Sequence, residues 1–249
     1  MTVTTAHRTA SFSAAHPPAL RVEPGSTVTF ETGDVAYERL SNGETVETIG
    51  LENFNLITGP VFVEGAAPGD ALRVEIVSVE IKRAWSVWMP NFGGLGHHAT
   101  EVTAKEIPHA DGLLHISERV HVPIEPMIGC IGVAPAEGEG STFMPAYPFG
   151  GNMDLRELSP GATVYLPVQV DGGLLSLGDL HAAMGTAEPT WVSLEAAGRA
   201  TIRIHLEKDM PLPTPRIVSG GSTLCIGMGE TLEAAHQHAL DQAYDVLIA

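Results

Sequence analysis

Apolar and polar residues alternate with a period of two in several short runs of the chain. The clearest runs are 28–30, 72–79, 164–168 and 202–206. Because successive side chains of a β-strand point to opposite faces, this alternation predicts half-buried strands. Three of the runs follow a Pro-Gly pair, beginning at Pro24, Pro68 and Pro160, and Gly198 precedes the fourth. The pattern therefore predicts short strands that begin at tight turns.

One segment has a helical period instead. After Thr231, a residue suited to an N-cap, apolar residues recur at steps of three and four from Leu232 to Leu247, which predicts a helix that runs to the end of the chain. The stretch 145–154 has no period and contains several Pro and Gly residues, so we expect a shaped loop there. With 27 glycines and 18 prolines in 249 residues, the predicted class is mainly β with some α (α+β).

The chain length fits one large β-rich domain or two smaller ones. We predict a single unit over 1–249, with a possible division into an N-terminal β lobe at about 1–140 and a C-terminal lobe at about 141–249. The polar stretches 99–111 and 135–142 are expected to be surface excursions. No repeat or long linker marks a firm boundary.

The charge balance narrows the choice of partners. Lys and Arg number 13 against 30 Asp and Glu, a formal net charge of −17, which repels nucleic acid and anionic membranes and favours a small neutral substrate. The N-terminus has no continuous apolar signal region, so we predict a cytoplasmic protein. The cysteines Cys130 and Cys225 lie far apart among small apolar residues and are predicted to be buried, reduced thiols.

The densest group of reactive side chains follows the apolar run that begins at Leu174. Asp179 and His181 are two residues apart, so on an extended backbone both point to the same face at the predicted strand end, and Glu188 follows after Gly185. A carboxylate and an imidazole placed in this way can hold a divalent metal or orient a general base. The alternative is a strand that ends in an ordinary polar turn.

A second group lies in the predicted loop. Gly150 and Gly151 precede Asn152 and Asp154, and tandem glycines permit close approach of the backbone to a ligand. An ordinary Gly-rich turn is the competing interpretation.

Aromatic and histidine residues between positions 85 and 98 form a third group. Trp88 and His98 could line a pocket mouth, next to a mobile lid at Gly93–Gly96, although simple packing is an alternative. On the predicted C-terminal helix, His236 and His238 are two residues apart, lie on different faces and are expected to be solvated.

Five motifs occur together and in a fixed order. They are GPVFVEGAAPGDALRVEI (59–76), APAEG (134–138), GGNMD (150–154), YLPVQVDGGLLSLGDLHAAMG (165–185) and the C-terminal helix. In order and spacing these motifs resemble the acetamidase/formamidase family, over roughly residue 17 to the end of the chain.

The resemblance implies a β-rich fold with a jelly-roll or β-sandwich portion and a smaller β-barrel or α+β lobe, forming homo-oligomers (a dimer or higher). It implies hydrolysis of short amides to an acid and ammonia, with a divalent metal, zinc or calcium, and no organic cofactor. The implied catalytic residues are Asn152, Asp154, Asp179, His181 and Glu188, with Asp179, His181 and Glu188 as metal ligands. Together with the residue patterns described above, this predicts that Gly150, Gly151, Trp88 and His98 lie around the substrate.

One departure from the family pattern concerns the metal. Where the family has Gly-Asp-Gly-Glu, this chain has Gly185-Thr186-Ala187-Glu188, which keeps the Glu and loses a carboxylate. A catalytically silent binding or structural module is therefore the first alternative function. A jelly-roll metal oxygenase is the second, and it requires a further converging histidine, for which His16 or His98 is the source.

Overall fold

The structure, a computed structural model, describes residues 1–186 and 188–248 and is mainly β. The described strands are β1 (Thr2–Val3), β2 (Arg8–Thr9), β3 (Ser11–Ser13), β4 (Leu20–Val22), β5 (Ser26–Thr32), β6 (Ile57–Val63), β7 (Ala71–Trp88), β8 (Thr103–Glu106), β9 (His109–Ala110), β10 (Leu113–His115), β11 (His121–Pro123), β12 (Met127–Gly132), β13 (Glu139–Ser141), β14 (Gly150–Asn152), β15 (Thr163–Pro167), β16 (Leu175–Ala183), β17 (Leu194–Glu207), β18 (Arg216–Ser219) and β19 (Ser222–Cys225). The α-helices are α1 (Val35–Ser41), α2 (Val46–Ile49) and α3 (Leu232–Ile248), and the short 3-10 helices are Thr5–His7, Leu51–Asn53 and Gly96–His98.

The main sheet is built on two long antiparallel strands, β7 and β17, which pair along almost their whole lengths. On both strands buried aliphatic residues alternate with polar ones, as at Val74 and Ile76 on β7 and at Ile202 and Ile204 on β17. This alternation confirms the strands predicted at 72–79 and 202–206. The strands predicted at 28–30 and 164–168 are also present, within β5 and β15.

Strand β16 changes its neighbour partway along its length. On one side it pairs with β12 from Ser176 to His181. On the other side it pairs first with β6, as far as Gly178, and then with β17 from Leu180 onward. Asp179 lies at this changeover, so its position in the sheet is set by three strands that are distant in sequence.

The buried apolar side chains form two clusters. The larger is contributed by many strands of the main sheet, with Phe30, Leu72 and Leu166 among its fully buried members. The smaller includes Tyr37 and Leu40 of α1, Phe54 and Trp85. Close packing of these side chains fixes α1 and α2 against β7.

Helix α3 confirms the predicted C-terminal helix. The Thr231 hydroxyl accepts a hydrogen bond from the backbone N–H of Ala234 at 3.2 Å, which is the expected N-cap contact. Among the described helices, none combines the length and the apolar character needed to cross a membrane.

Several local predictions need correction. The stretch expected to be a loop contains the short strand β14, in which Gly150 and Gly151 pair with β12. The two backbones approach so closely that a Cβ on Gly150 would clash with the Ile131 carbonyl oxygen, so glycine is what permits this pairing. The two predicted surface excursions are mostly exposed, as expected, but they contain the short strands β8, β9 and β13. His238 is half-buried and hydrogen-bonds the Met228 backbone, so only His236 is solvated. Cys130 is buried and Cys225 half-buried, and both are free thiols.

Candidate active site

The sheet places Asp179 and His181 inside the protein and not at a strand end. Both lie within β16, which continues to Ala183, and their side chains are almost completely inaccessible. Asp179 has a φ of 53°, a left-handed conformation that is uncommon for a residue other than Gly. This local twist occurs where β16 leaves β6 and joins β17, and it directs the carboxylate toward the His181 ring.

Three carboxylates surround Nε2 of His181. The distances from Nε2 are 3.6 Å to Oδ1 of Asp179, 3.6 Å to Oε2 of Glu195 and 3.8 Å to Oδ1 of Asp154. All three exceed the usual length of a hydrogen bond. Both oxygens of Asp179, Oδ1 of Asp154 and Oε2 of Glu195 are buried and have no hydrogen-bond partner among the described residues. Buried polar atoms without partners are rare, so this set of carboxylate oxygens is suited to hold a positively charged or hydrogen-bonding ligand.

Gly129 of β12 leaves room for this cluster. A Cβ at this position would lie 2.7 Å from Oδ1 of Asp154 and 2.7 Å from Oδ2 of Asp179. The backbone N–H groups of Met153 and Asp154 both donate to the Gly129 carbonyl, at 3.0 and 3.1 Å. Gly129 thus holds the Asp154 segment against β12, and its missing side chain makes space for both carboxylates.

The donor atoms form two triplets that share His181. Asp179, His181 and Glu195 form a fully buried inner triplet, and Asp154, His181 and Glu188 form an outer, less buried one, with donor atoms within 4.8 Å of one another in each. The structure therefore brings together all four of the acidic and histidine residues singled out in the sequence. It does not place the three predicted metal ligands, Asp179, His181 and Glu188, in one triplet.

Burial and mutual repulsion shift the pKa values of this cluster. Burial, with a further contribution from Asp179, raises the pKa of Asp154 to about 8 although His181 opposes the shift. Burial likewise raises the pKa of Glu195 and of Glu188. For His181, burial lowers the pKa, but Glu195 and Asp179 outweigh it and leave the pKa well above its usual value. The cluster therefore strongly favours binding a positive charge, either protons or a cation.

Two residues near the cluster were not predicted from the sequence. Glu195 is opposite His181 on β17, and its Oε1 accepts a hydrogen bond from the Ser193 N–H at 2.8 Å. Asp34 precedes α1 without capping it, and burial together with the nearby Asp179 raises its pKa. The sequence feature that could have identified Glu195 is a single acidic residue between Leu194 and Ala196, at the otherwise apolar beginning of β17.

A cavity of about 430 Å³ opens onto the outer triplet. Asp154, Glu188 and Asn152 contribute to its wall, and the side-chain oxygen of Asn152 is buried without a described partner. The cavity thus gives a small molecule access to the cluster.

The remaining predicted pocket residues lie elsewhere. Gly150 and Gly151 pair with β12 and precede Asn152 on the same strand, β14. Trp88 lines a separate depression on the other side of Glu188, and His98 is exposed on its 3-10 helix. None of these four is among the described residues that line the cavity beside the cluster.

Fold and cluster together define a β-rich protein with a buried His-carboxylate centre. The family model described as "Acetamidase/Formamidase family" matches residues 8–139 and 136–218. The chain belongs to the acetamidase/formamidase family, as its motifs indicated.

Relatives of known name agree with this membership. The chain is 27% identical to a putative formamidase of Schizosaccharomyces pombe over 82% of its own length, and 26% identical to a formamidase of Methylophilus methylotrophus over 78%. It spans 66% and 62% of the lengths of these two relatives, which is slightly less than two thirds.

Solved structures show the same fold. An acetamidase from Bacillus halodurans matches 97% of this chain, and 82% of its own, with a TM-score of 0.91 and 34% identity. A predicted acetamidase/formamidase from Thermoanaerobacter tengcongensis matches 98% of this chain, and 81% of its own, with a TM-score of 0.92 and 33% identity. These matches confirm the predicted mainly-β class with its C-terminal helix.

Proposed function

We propose that this protein hydrolyses the linear C–N bond of small primary amides, of the formamide and acetamide kind, to a carboxylic acid and ammonia. The observation that carries the proposal is the group of three carboxylates around His181. Buried oxygens of all three lack partners among the described residues, and one of the three, Asp154, lines the cavity. Family membership supports the same reaction. A neutral substrate also suits a chain with a net charge of −17.

The inner triplet suits a divalent metal ion. Imidazole nitrogen and carboxylate oxygen are both ligand types that zinc binds, and the space that a Cβ at Gly129 would fill lies between the acidic side chains. We propose that His181, Asp179 and Glu195 hold the ion, with zinc favoured over calcium because of the imidazole. Glu195 thereby takes the place that the sequence motif suggested for Glu188. A divalent ion in this site would polarise the amide carbonyl and lower the pKa of a water molecule.

The outer residues provide the proton transfers. Asp154 and Glu188 line the cavity, so either carboxylate can take a proton from the attacking water and return it to the departing nitrogen, which leaves as ammonia. The Asn152 side chain is placed to orient the amide group of the substrate by hydrogen bonding. Proton, water and leaving group then balance as one amide and one water giving one acid and one ammonia.

The test combines metal analysis with an ammonia assay. Protein purified without chelator is expected to contain about one divalent ion per chain and to release ammonia from formamide and acetamide. His181→Ala and Asp179→Asn are each expected to lose the ion and to lower turnover by ~100-fold or more. His109→Ala, a half-buried histidine on β9 and away from the cluster, is the matched control.

Each result has a distinct meaning. Activity that survives complete removal of the metal would leave a scheme based on carboxylates alone. Wild-type turnover by His181→Ala, within about threefold, would refute the site assignment. A protein that binds the ion but hydrolyses no amide would favour the silent-module alternative.

The oxygenase alternative lacks its second histidine. His181 is the one histidine of the two described triplets, while His16 pairs with Ser11 and His98 is exposed. A cytoplasmic location and a homo-oligomeric state stay predictions, which fractionation and light scattering of the purified protein would test.

A further inference from the structure

The cavity beside the cluster is far more apolar than formamide or acetamide requires. Of its fifteen described lining residues, eleven carry aliphatic, aromatic, proline or thioether side chains. They include Leu51, Phe54, Met89, Phe143 and Val192. A volume of about 430 Å³ falls in the range of about 300–1,000 Å³ that is usual for sites of drug-sized ligands.

The charged residues of the wall belong to the cluster alone. Asp154 and Glu188 are the charged residues among the described lining side chains, and both belong to the outer triplet. An amide bound with its reactive group at the cluster therefore has its acyl group against Phe54, Met89 and Phe143. A charge at the far end of that acyl group would find no described counter-charge on the wall and would be desolvated at a cost.

The mouth of the cavity is also apolar. Phe92 and Trp191 meet edge to face with ring centroids 5.4 Å apart, and Trp191 is 65% exposed. The backbone N–H of Gly94 donates to the Pro189 carbonyl at 2.7 Å, so the two loops that carry these rings are joined. Exposed aromatic side chains around a cavity mouth are typical of sites that bind apolar ligands.

From this arrangement we infer that the preferred substrates are primary amides with a large apolar acyl group, such as a longer alkyl chain or an aromatic ring. This inference rests on the proposed amide hydrolysis and specifies its substrate class. It places recognition of the acyl group at the wall formed by Phe54, Met89 and Phe143, separate from the residues that carry out the chemistry.

The experiment measures kcat/KM for ammonia release from acetamide, butanamide, hexanamide and phenylacetamide. Burial of a methylene corresponds to about fourfold in kcat/KM, from about 0.8 kcal/mol per CH₂. We expect a rise of roughly 10-fold or more from acetamide to hexanamide even when only part of the added chain is buried. Adipamic acid, which has the length of hexanamide but ends in a carboxylate, is expected to lose this gain.

Variants of two methionines test where on the cavity wall the acyl group is recognised. Met89→Gln keeps the length of the side chain but adds a polar group to the wall, and the ratio of kcat/KM for hexanamide to that for acetamide is expected to fall by roughly 5-fold. Met210→Gln is the matched control, because Met210 is also half-buried but is not among the described residues of the cavity wall. Its ratio is expected to equal that of the wild type.

The outcomes separate this inference from the proposed function. Hydrolysis of acetamide with a flat or falling series would overturn the substrate class and leave amide hydrolysis standing. Equal ratios for the wild type and Met89→Gln would overturn the assignment of the wall. Absence of ammonia from every amide would overturn the proposed function, and the substrate class with it.

Discussion

His181 and Glu195 face each other across the ladder between β16 and β17, with Nε2 and Oε2 3.6 Å apart. The side chains are 2% and 3% exposed, so neither is solvated by bulk water. Glu195 is held in place by the Ser193 N–H, which donates to its other oxygen. The pairing of two strands therefore positions an oriented carboxylate beside the imidazole, ready to share a cation with it.

Replacing Glu195 by Gln tests this relationship. The substitution keeps the shape and removes the negative charge, so we expect turnover of acetamide to fall by ~100-fold or more, as expected when a charged group of the reacting centre is lost. The metal content after dialysis should fall as well. Both quantities are measured on the same protein sample, by ammonia release and by elemental analysis.

Glu207→Gln is the control for this substitution. Glu207 is on the same strand, but its carboxylate pairs with Arg73 at a partly exposed site. We expect its turnover to stay within about twofold of the wild type and its stability to change by about 0–1 kcal/mol. Full activity in Glu195→Gln would show that this carboxylate has no part in the reaction.

Gly129→Ala is expected to displace the Asp154 and Asp179 carboxylates. The new methyl group would lie 2.7 Å from both Asp154 Oδ1 and Asp179 Oδ2, so these carboxylates must move apart. Overpacking of this kind costs about 1–3 kcal/mol of stability, and we expect loss of metal and a fall in turnover of ~100-fold or more at temperatures where the variant is folded.

Gly185→Ala serves for comparison, because a Cβ at Gly185 would have no described atom within 4 Å. Circular dichroism monitors the fold of both variants. Wild-type metal content in Gly129→Ala would contradict the arrangement of the two carboxylates around this glycine.

The sequence allowed the long strands β7 and β17 and the C-terminal helix to be predicted because their periodic runs are long and regular. The apolar alternation along β7 and β17 and the three- and four-residue steps of α3 each extend over several turns or pleats. Helices α1 and α2 have seven and four residues, which is too short for a helical period to be distinguished. The β-branched residues Val46, Thr48 and Ile49 also disfavour a helix locally, and packing against the smaller cluster overrides them.

Residue spacing alone predicted only the part of the site whose residues are neighbours in sequence, whereas Asp154 was singled out by its loop motif and the family resemblance. Asp179 and His181 are two residues apart, so an extended strand predicts that they share a face, although the left-handed φ of 53° at Asp179 could not be predicted in this way. Glu195 reaches the cluster through the β16–β17 register and Asp34 through the position of α1, and both depend on long-range packing. The same packing explains why His98, which is close in sequence to the cavity residue Phe92, is exposed.

Helix α3 is attached to the body of the protein by a buried polar contact, and this attachment can be tested. The Gln242 side chain donates to the Ile226 carbonyl at 2.8 Å, and its Oε1 lies 2.9 Å from the hydroxyl of Thr214, which is fully buried. Gln242→Ala removes both of these hydrogen bonds and leaves the Thr214 hydroxyl bonded only to the Ile226 carbonyl. The loss of the two bonds is expected to cost about 1–3 kcal/mol in total. We expect amide hydrogen exchange in α3 to accelerate by roughly 5- to 150-fold, the factor equivalent to that cost.

Gln237→Ala provides the comparison for α3. Gln237 is exposed on the same helix and bonds Asp241, a contact worth about 0.2–0.5 kcal/mol. If both variants accelerated exchange equally, the buried contact would not be the one that attaches the helix.

Asp70 should make stability depend on pH in a defined window. Its carboxylate accepts hydrogen bonds from the Ala67 N–H, the Asp209 N–H and Nζ of Lys208, at 2.9, 3.1 and 2.7 Å. Burial alone would raise the pKa of Asp70, but the Lys208 ammonium and the two backbone donors outweigh it and leave the pKa below its usual value. Because the folded-state pKa is below the unfolded value of about 3.9, the stabilisation is complete above that pH and is lost as the pH falls through the folded-state pKa.

We expect Asp70→Asn to lower the free energy of unfolding by about 1–3 kcal/mol at pH 7, and the difference from the wild type to shrink below about pH 4. Urea unfolding of both proteins from pH 7 to pH 3 gives this difference directly and cancels the titration of the other carboxylates.

Lys208→Met is the control: it removes only the largely exposed ammonium and should cost about 0–1 kcal/mol. A difference between Asp70→Asn and wild type that stayed constant down to pH 3 would show that the charge of Asp70 does not stabilise the fold.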